Sequence, residues 1–347
     1  MIANVGEDCA GAIQFVRPER VEGVLTGTTA DVLWLNESEV AERLRLLAKD
    51  HGAWRTERDT GQFSLAGAQP KTALLFQNDR WGVPSGRTPT THILKPPIAG
   101  FHGHAENEHF CLILASKLGM VVPLSKVRRF EEQIAIVVQR YDRISTKEGL
   151  RRVHQEDICQ ALGLPPSKKY EAEGGPGAAN VVNLLERSSI KPQEDVESFV
   201  NALAFNWLIS GSDGHAKNYS VLLSAAGAMR LAPLYDLASA LAYPDIDPKK
   251  IKLAMKIGGS YRLRDIGRRN WEKLLSELRF TDAALINRLI EFATVLPDYI
   301  ADTARQLHSE DLHHDLIDRM AGQLTSRAED CLRVLTIRAN GSDQERQ

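Results

Sequence analysis

Apolar positions along this chain change their period near residue 140. Before it, short apolar runs bounded by Gly, Pro and Asn dominate, the pattern of strands. Ala10–Val16 reads as a strand, and 63–76 (Phe-Ser-Leu-Ala-Gly-Ala-Gln-Pro-Lys-Thr-Ala-Leu-Leu-Phe) as a hairpin around a Gly-containing turn. Segments 81–84 and 91–96 predict two more short strands, the second closed by Pro96 and Pro97. Val121–Val127 and Gln133–Gln139 predict a further pair. Helical spacing appears twice: in Glu37–Asp50, through Val40, Leu44, Leu46 and Leu47, and in Glu106–Leu118, through Phe110, Cys111, Leu114 and Leu118. The first part is thus a mainly antiparallel sheet with one or two helices.

Beyond residue 140 the helical period takes over. Gln155–Leu162 predicts a helix, and the Gly and Pro content of 165–177 predicts a loop. Val196–Ser210 is a buried helix by the spacing of Val196, Phe199, Val200, Leu203, Trp207 and Leu208, stopped at Gly211. A hairpin follows at 219–223 and 229–231, then helices over 271–293, 295–307 and 312–335. This predicts an α+β fold with the two-lobed layout of protein kinases: an N-terminal lobe over 1–138, a helical C-terminal lobe over 139–338 and a polar tail over 339–347. Nucleotide is expected in the cleft of such a fold.

Composition narrows the function classes. With 43% apolar and 25% charged residues the chain supports a real core, and its net charge of -2 argues against broad non-specific nucleic-acid binding. No apolar run approaches the ~18 residues that span a bilayer, and the first residues carry no basic region followed by an apolar stretch. A cytoplasmic protein with no membrane partner is expected. The four cysteines are far apart and lack zinc-site spacing. The most metal-like string, His102-Gly-His-Ala-Glu-Asn-Glu-His109, has nothing nearby to complete a transition-metal site.

The candidate chemistry lies in Ile209-Ser-Gly-Ser-Asp-Gly-His-Ala-Lys-Asn218. A carboxylate followed five residues later by a carboxamide, between a helix and a strand, is the arrangement of phosphoryl-transfer enzymes. Asp213 would accept the proton of an attacking hydroxyl, and Asn218 would hold Mg²⁺. Asp236, in Ala232-Pro-Leu-Tyr-Asp-Leu237, offers a second carboxylate to that ion. Lys95 closes a short strand where kinases place the lysine of the α- and β-phosphates, with Glu108 as its expected partner and Glu106 second. Neither G-x-G-x-x-G nor a Walker A motif is present; Ser64-Leu-Ala-Gly-Ala-Gln-Pro-Lys71 instead offers small residues, backbone N–H groups and a lysine. Each signal has a plain alternative: a hairpin turn, a surface lysine, an Asp-Gly turn, a packed loop histidine.

Taken together, these blocks resemble the HipA family of bacterial serine/threonine-kinase toxins. The resemblance rests on Ser64–Leu75, Pro89–Lys95, Gln155–Gln160, Lys169–Gly177 and Asp213–Asn218, in that family's order. It implies that Ala66, Gly67, Ala68, Gln69 and Lys71 bind ATP with Lys95, and that Gln139, Arg140 and Tyr141 form an adenine-contacting hinge. It further implies that His215 and Lys217 join the nucleotide contacts, that Asp213 is the base, and that Asn218 and Asp236 hold Mg²⁺. Ser64 matches the serine on which such kinases autophosphorylate; a phosphate there adds about -1.5 to -2 charges beside the ATP loop.

The implied target is a cytosolic protein of translation such as an aminoacyl-tRNA synthetase. The implied partner is a helix-turn-helix antitoxin through which operator DNA is met only indirectly. The family's additional N-terminal subdomain is not recognisable, so either a separately encoded protein carrying it is a further expected partner or the chain is a truncated member. Two other readings stand beside this one. One is a lipid or small-molecule kinase, since Asp213, His215 and Asn218 also resemble the phosphoinositide-kinase loop. The other is a catalytically idle kinase fold serving as co-repressor. Arg262, Arg264, Arg268 and Arg269, after Lys252 and Lys256, form either a solvated face or a contact to operator phosphates.

Overall fold

A computed structural model describes residues 8–27, 31–49, 63–64, 67, 69–98, 100–147, 149–280 and 284–337. The chain forms two compact units that exchange segments. The first uses the chain up to His109, then Pro123–Asp157 and Ser220–Pro233; the second uses Phe110–Val122, Ile158–Tyr219 and the chain from Leu234 onward. The single division expected at residue 138 is therefore replaced by interleaved stretches.

The first unit begins with β1 (Asp8–Cys9) and α1 (Val21–Thr26). Its main layer is a six-stranded antiparallel sheet of β2 (Val32–Leu35), β4 (Thr72–Gln77), β5 (Arg80–Pro84), β6 (His92–Lys95), β7 (Ser125–Phe130) and β8 (Gln133–Gln139), in the order β2-β5-β4-β6-β8-β7. The Ile134–Val138 run suits the middle of such a sheet because β-branched side chains pack well on a pleated surface. α2 (Glu37–Lys49) lays Val40, Ala41 and Leu44 on a cluster with Leu74, Trp81, Leu94, Phe130 and Val137. Each large apolar side chain so buried contributes about 1.5–3 kcal/mol. The sheet presents Lys95 at the end of β6, and the next helix, α3 (His104–Lys117), begins nine residues on.

Several expectations fail in this unit. Ala10–Val16 is irregular, with Ile13 and Phe15 exposed, because alternation without a partner strand gives no ladder. The 63–76 hairpin is absent: β3 (Phe63–Ser64) pairs parallel with β1, and β4 pairs instead with β5 and β6. The strand placed at Val121 starts at Ser125, leaving Val121 and Leu124 exposed. Residues 155–157 belong to β11 (His154–Asp157), which pairs with β12 (Ser220–Leu223) and through it β13 (Met229–Leu231). A small ribbon, β9 (Arg143–Thr146) and β10 (Gly149–Arg152), precedes it.

The second unit is helical: α4 (Ile158–Ala161), α5 (Ala178–Ser188), α6 (Pro192–Ile209), α7 (Arg268–Glu277), α8 (Ala284–Ser309) and α9 (Asp315–Thr336), with one hairpin of β14 (Lys252–Ile257) and β15 (Ser260–Arg262). α6 packs on α5 and α9, and Trp207 of α6 meets Trp271 of α7 edge-on with ring centroids 5.7 Å apart. The helix expected over 271–293 is divided, since α7 ends at Glu277 and Arg279 adopts φ 63°. α8 runs unbroken across residue 294, where a break was expected, and carries Pro297 in its interior. Packing along its buried face outweighs the one hydrogen bond a proline removes. The residue that ends α6 in the left-handed region is Ser210 (φ 58°), one position before Gly211. All four cysteines are buried. Among the described residues, no helix is long and apolar enough to cross a membrane.

Candidate active site

The loop after α6 is built from its own backbone. Gly211 N donates to Asn206 O (2.7 Å), His215 N to Asp213 O (2.7 Å) and Asn218 N to His215 O (2.9 Å). Asn218 Nδ2 donates to the Asp213 carbonyl at 2.8 Å, which closes the loop and leaves the Asp213 carboxylate exposed. Asp213 Oδ1 accepts a hydrogen bond of 2.8 Å from the Tyr170 hydroxyl. His215 is only 5% exposed, its Nδ1 has no hydrogen-bond partner among the described residues, and its ring meets Tyr170 edge-on at 5.0 Å. Burial lowers the His215 pKa and outweighs the opposing pull of Asp213, so the imidazole is neutral at physiological pH.

Asn206 supports this loop from below, a role the sequence reading missed. Its side chain leaves no room for a Cβ at either Gly211 or Gly214; at Gly214 that carbon would lie 2.9 Å from Nδ2. Asn206 Nδ2 also donates to the buried Tyr219 hydroxyl (3.1 Å), whose ring meets Phe199 edge-on. The available signal was one amide between Phe205 and Trp207 in an otherwise apolar helix. Asn206→Ala removes the amide and leaves the Tyr219 hydroxyl without this partner, so urea unfolding should show a loss of about 1–3 kcal/mol.

Asp236 follows on the next turn. Its backbone lies at φ 53°, a region few non-glycine residues occupy without a compensating role. The neighbouring Tyr235 hydroxyl donates to Lys217 O (2.8 Å), tying this turn to the Asp213 loop. Ser239 Oγ donates to Ile209 O (2.6 Å), and Ala240 N to Ser210 O (3.2 Å), adding two more ties at the loop's start.

In the first unit Lys95 Nζ donates to Glu108 Oε1 at 2.8 Å, and their side chains are 8% and 2% exposed. Glu108 is therefore the partner; Glu106 is buried too, but its Oε2 meets no donor among the described residues. Two histidines of the His102–His109 string have other contacts: His109 Nδ1 with Ser125 Oγ (2.8 Å) and His104 Nδ1 with Gln69 Nε2 (3.4 Å). Among the described residues no three His, Cys, Asp or Glu side chains converge on a metal-sized point.

The phosphate-loop residues are only partly described. Gly67 has φ 114°, and the Lys71 ammonium lies where a Cβ at Gly67 would stand, so this loop folds its own lysine over a glycine. Ala66 and Ala68 lie outside the described residues, as does the side chain of Ser64, whose backbone pairs with Cys9.

The hinge segment differs from expectation at Arg140. Its guanidinium is buried and committed: Nε and Nη2 donate to Asp142 (3.0 and 2.8 Å), Nη1 to Thr90 Oγ1 (2.9 Å) and Asp8 Oδ2 (3.2 Å), and Nη2 also to Cys9 O (2.8 Å). Arg140 can offer a nucleotide only its backbone. Gln139 is exposed, and the Tyr141 hydroxyl donates to Gln155 Oε1. Arg143 and Arg152 complete the cluster, each donating to Asp8 Oδ1 at 2.9 Å.

These donors suit a hard divalent cation on a polyphosphate. Mg²⁺ uses one or two protein oxygens and fills its octahedron with water and phosphate. The Asn218 carboxamide oxygen and the Asp236 carboxylate are ligands of that type, and Asp213 is an exposed carboxylate of the same loop as Asn218.

The family model of the HipA-like C-terminal domain matches residues 63–330. Candidate kinase Y4mE of Sinorhizobium fredii is 38% identical over 286 residues, which cover 80% of this chain and 65% of that protein. The serine/threonine-protein kinase toxin HipA of Shewanella oneidensis is 30% identical over 321 residues, covering 88% of this chain and 71% of its own. Among solved structures, the Shewanella complex of HipA, HipB and operator DNA superposes with a TM-score of 0.76 at 27% identity, over 94% of this chain and 76% of that one. The Helicobacter pylori proinflammatory kinase CtkA superposes at 0.54 and 14% identity, over 81% and 93%, a likeness of fold alone. The fold is α+β and kinase-like.

Proposed function

The chain belongs to the HipA-like C-terminal domain family, and from that premise we propose that it is an ATP- and Mg²⁺-dependent serine/threonine kinase acting as the toxin of a toxin–antitoxin module. The observation that carries the reading is the closed Asp213–Asn218 turn, in which the Asn218 amide donates to the Asp213 carbonyl and the Asp213 carboxylate stays exposed. Asp213 takes the proton of the attacking hydroxyl, while Asn218 and Asp236 hold Mg²⁺. Lys95, fixed by Glu108, pairs with the α- and β-phosphates, and Gly67, Gln69 and Lys71 supply the loop over them. Bound ATP supplies the phosphoryl group, and Mg²⁺ neutralises its charge.

The remaining parts are proposals of the same kind. Ser64 is the autophosphorylated serine, and the main substrate is a cytosolic protein of translation. A helix-turn-helix antitoxin is the partner, as the Shewanella complex with HipB and operator DNA suggests. This chain spans 65% of the length of Y4mE.

The test is incubation of the purified chain with γ-labelled ATP, Mg²⁺ and host extract, followed by separation of protein from lipid. Label on protein serine and threonine is expected, including Ser64 in peptide mapping. Withdrawing Mg²⁺ with EDTA should cut transfer at least a hundredfold, on the order of what loss of one major electrostatic stabiliser costs, and added Mg²⁺ should restore it. Label confined to lipid would favour the phosphoinositide-type reading, and no transfer at all would favour the idle co-repressor.

A further inference from the structure

Among the described residues the Tyr170 hydroxyl donates to the Asp213 carboxylate, and the segment that carries it is built to hold it there. Gly175 N and Glu173 N both donate to Tyr170 O, at 2.9 and 3.0 Å, which curls residues 170–175 into a tight turn. Gly174 sits at φ 81°, which favours glycine, and a Cβ at Gly175 would lie 2.7 Å from Tyr170 O, so Gly175 has no room for a side chain. One flank is tied to the catalytic loop, where Ala216 N donates to Lys169 O (3.2 Å). The other is tied to β14, where the Glu171 carboxylate accepts from Lys256 N (2.7 Å) and Lys256 Nζ (3.2 Å). Between these anchors the phenol ring is clamped by the edge of His215 and by the Lys169 ammonium, 4.8 Å from the ring centroid.

We infer that Tyr170 is a positioning residue for phosphoryl transfer: its hydroxyl locks one oxygen of Asp213, so that the other is presented to the substrate hydroxyl. The inference rests on the reading of Asp213 as the base. An exposed aspartate otherwise samples several rotamers, and a fixed acceptor direction is what an in-line proton transfer needs. Tyr170 keeps its own proton throughout, because burial and the facing carboxylate both raise its pKa. Only the substrate hydroxyl gives a proton to Asp213.

Tyr170→Phe removes the hydroxyl and keeps the ring between His215 and Lys169, and the loop's own bonds are backbone bonds that survive. With ATP and myelin basic protein as a serine-bearing acceptor, kcat should fall about tenfold, as for a modest loss of orientation. KM for ATP and the affinity for a fluorescent N-methylanthraniloyl ATP should change less than twofold. In an Asp213→Asn background the same substitution should cost nothing further, since the group it orients is gone. An unchanged kcat in Tyr170→Phe overturns the inference. So does a faster one, which would make the phenol a plug on the site, and so does an equal loss in both backgrounds. Full activity of Asp213→Asn alone would instead reject the base assignment, a failure read separately from that of Tyr170.

Discussion

Asp213→Asn is expected to lower the rate of phosphoryl transfer by about 10²–10⁴-fold, the usual worth of a positioned general base, while the protein stays folded. At roughly 1.4 kcal/mol per decade this is about 3–5.5 kcal/mol of transition-state stabilisation. The structure separates chemistry from stability here. Asp213 is exposed, its backbone carbonyl rather than its side chain holds Asn218, and an asparagine oxygen can still accept from the Tyr170 hydroxyl. Substitutions at such surface positions stay within about 0.5 kcal/mol, so the thermal midpoint should hardly move. ATP affinity should also persist, because Lys95 and Glu108 are untouched. Initial-rate assays beside thermal melts check both halves. Retained transfer in this variant would remove the central residue of the proposed mechanism.

The candidate site could be proposed from sequence because its residues are local in the chain. Asp213, His215 and Asn218 lie within one turn, and the Lys95–Glu108 pair joins a strand end to the following helix, so spacing and residue type sufficed. Supports contributed from elsewhere were not legible. Asn206 acts on two glycines through shape, and nothing in the run Phe205-Asn206-Trp207 states which loop it will face. Arg140 looked like a hinge contact because its position in the chain is right. Its partner Asp8 lies 132 residues away, and no local pattern announces such a pairing. The same holds for the fold. Helices α2, α3, α6 and α9 followed from apolar spacing, whereas β3 failed because its partner is the distant β1 rather than the adjacent β4. Tertiary packing also overrides the local pattern in the opposite direction, joining α8 across residue 294 with Pro297 in its interior.

Asp8→Asn carries the largest expected loss of stability, about 3–5 kcal/mol, the cost of breaking one partner out of a buried ionic network. Asp8 accepts from Thr90 N (3.0 Å), Thr90 Oγ1 (2.5 Å), Arg140, Arg143 and Arg152, while Asp142 accepts from Arg140 and from Gly11 N (2.7 Å). Two carboxylates thus balance three guanidiniums in a buried pocket. Neutralising one leaves three against one, and the amide's NH₂ would point donors at donors. Burial alone would raise the carboxyl pKa values of Asp8 and Asp142, but the facing arginines outweigh it and hold both below the ordinary 3.8. Burial, with the neighbouring Arg140, in turn lowers Arg143 to about 10. Because the folded carboxyls are the stronger acids, the unfolded chain takes up protons first as pH falls. The stabilisation is therefore complete above about pH 4 and is lost below it, as pH drops through the folded-state values. Urea unfolding of the wild type should weaken steeply below pH 4, whereas Asp8→Asn, already destabilised at pH 7, should show a shallower slope carried by Asp142. Equal slopes in the two proteins would mean that Asp8 is not the proton-linked group. The cluster also joins β1, the strand paired with Ser64, to the residues that follow β8, so its loss should be felt at both. Faster amide exchange over 140–143 and at Ser64 in Asp8→Asn would register that link directly.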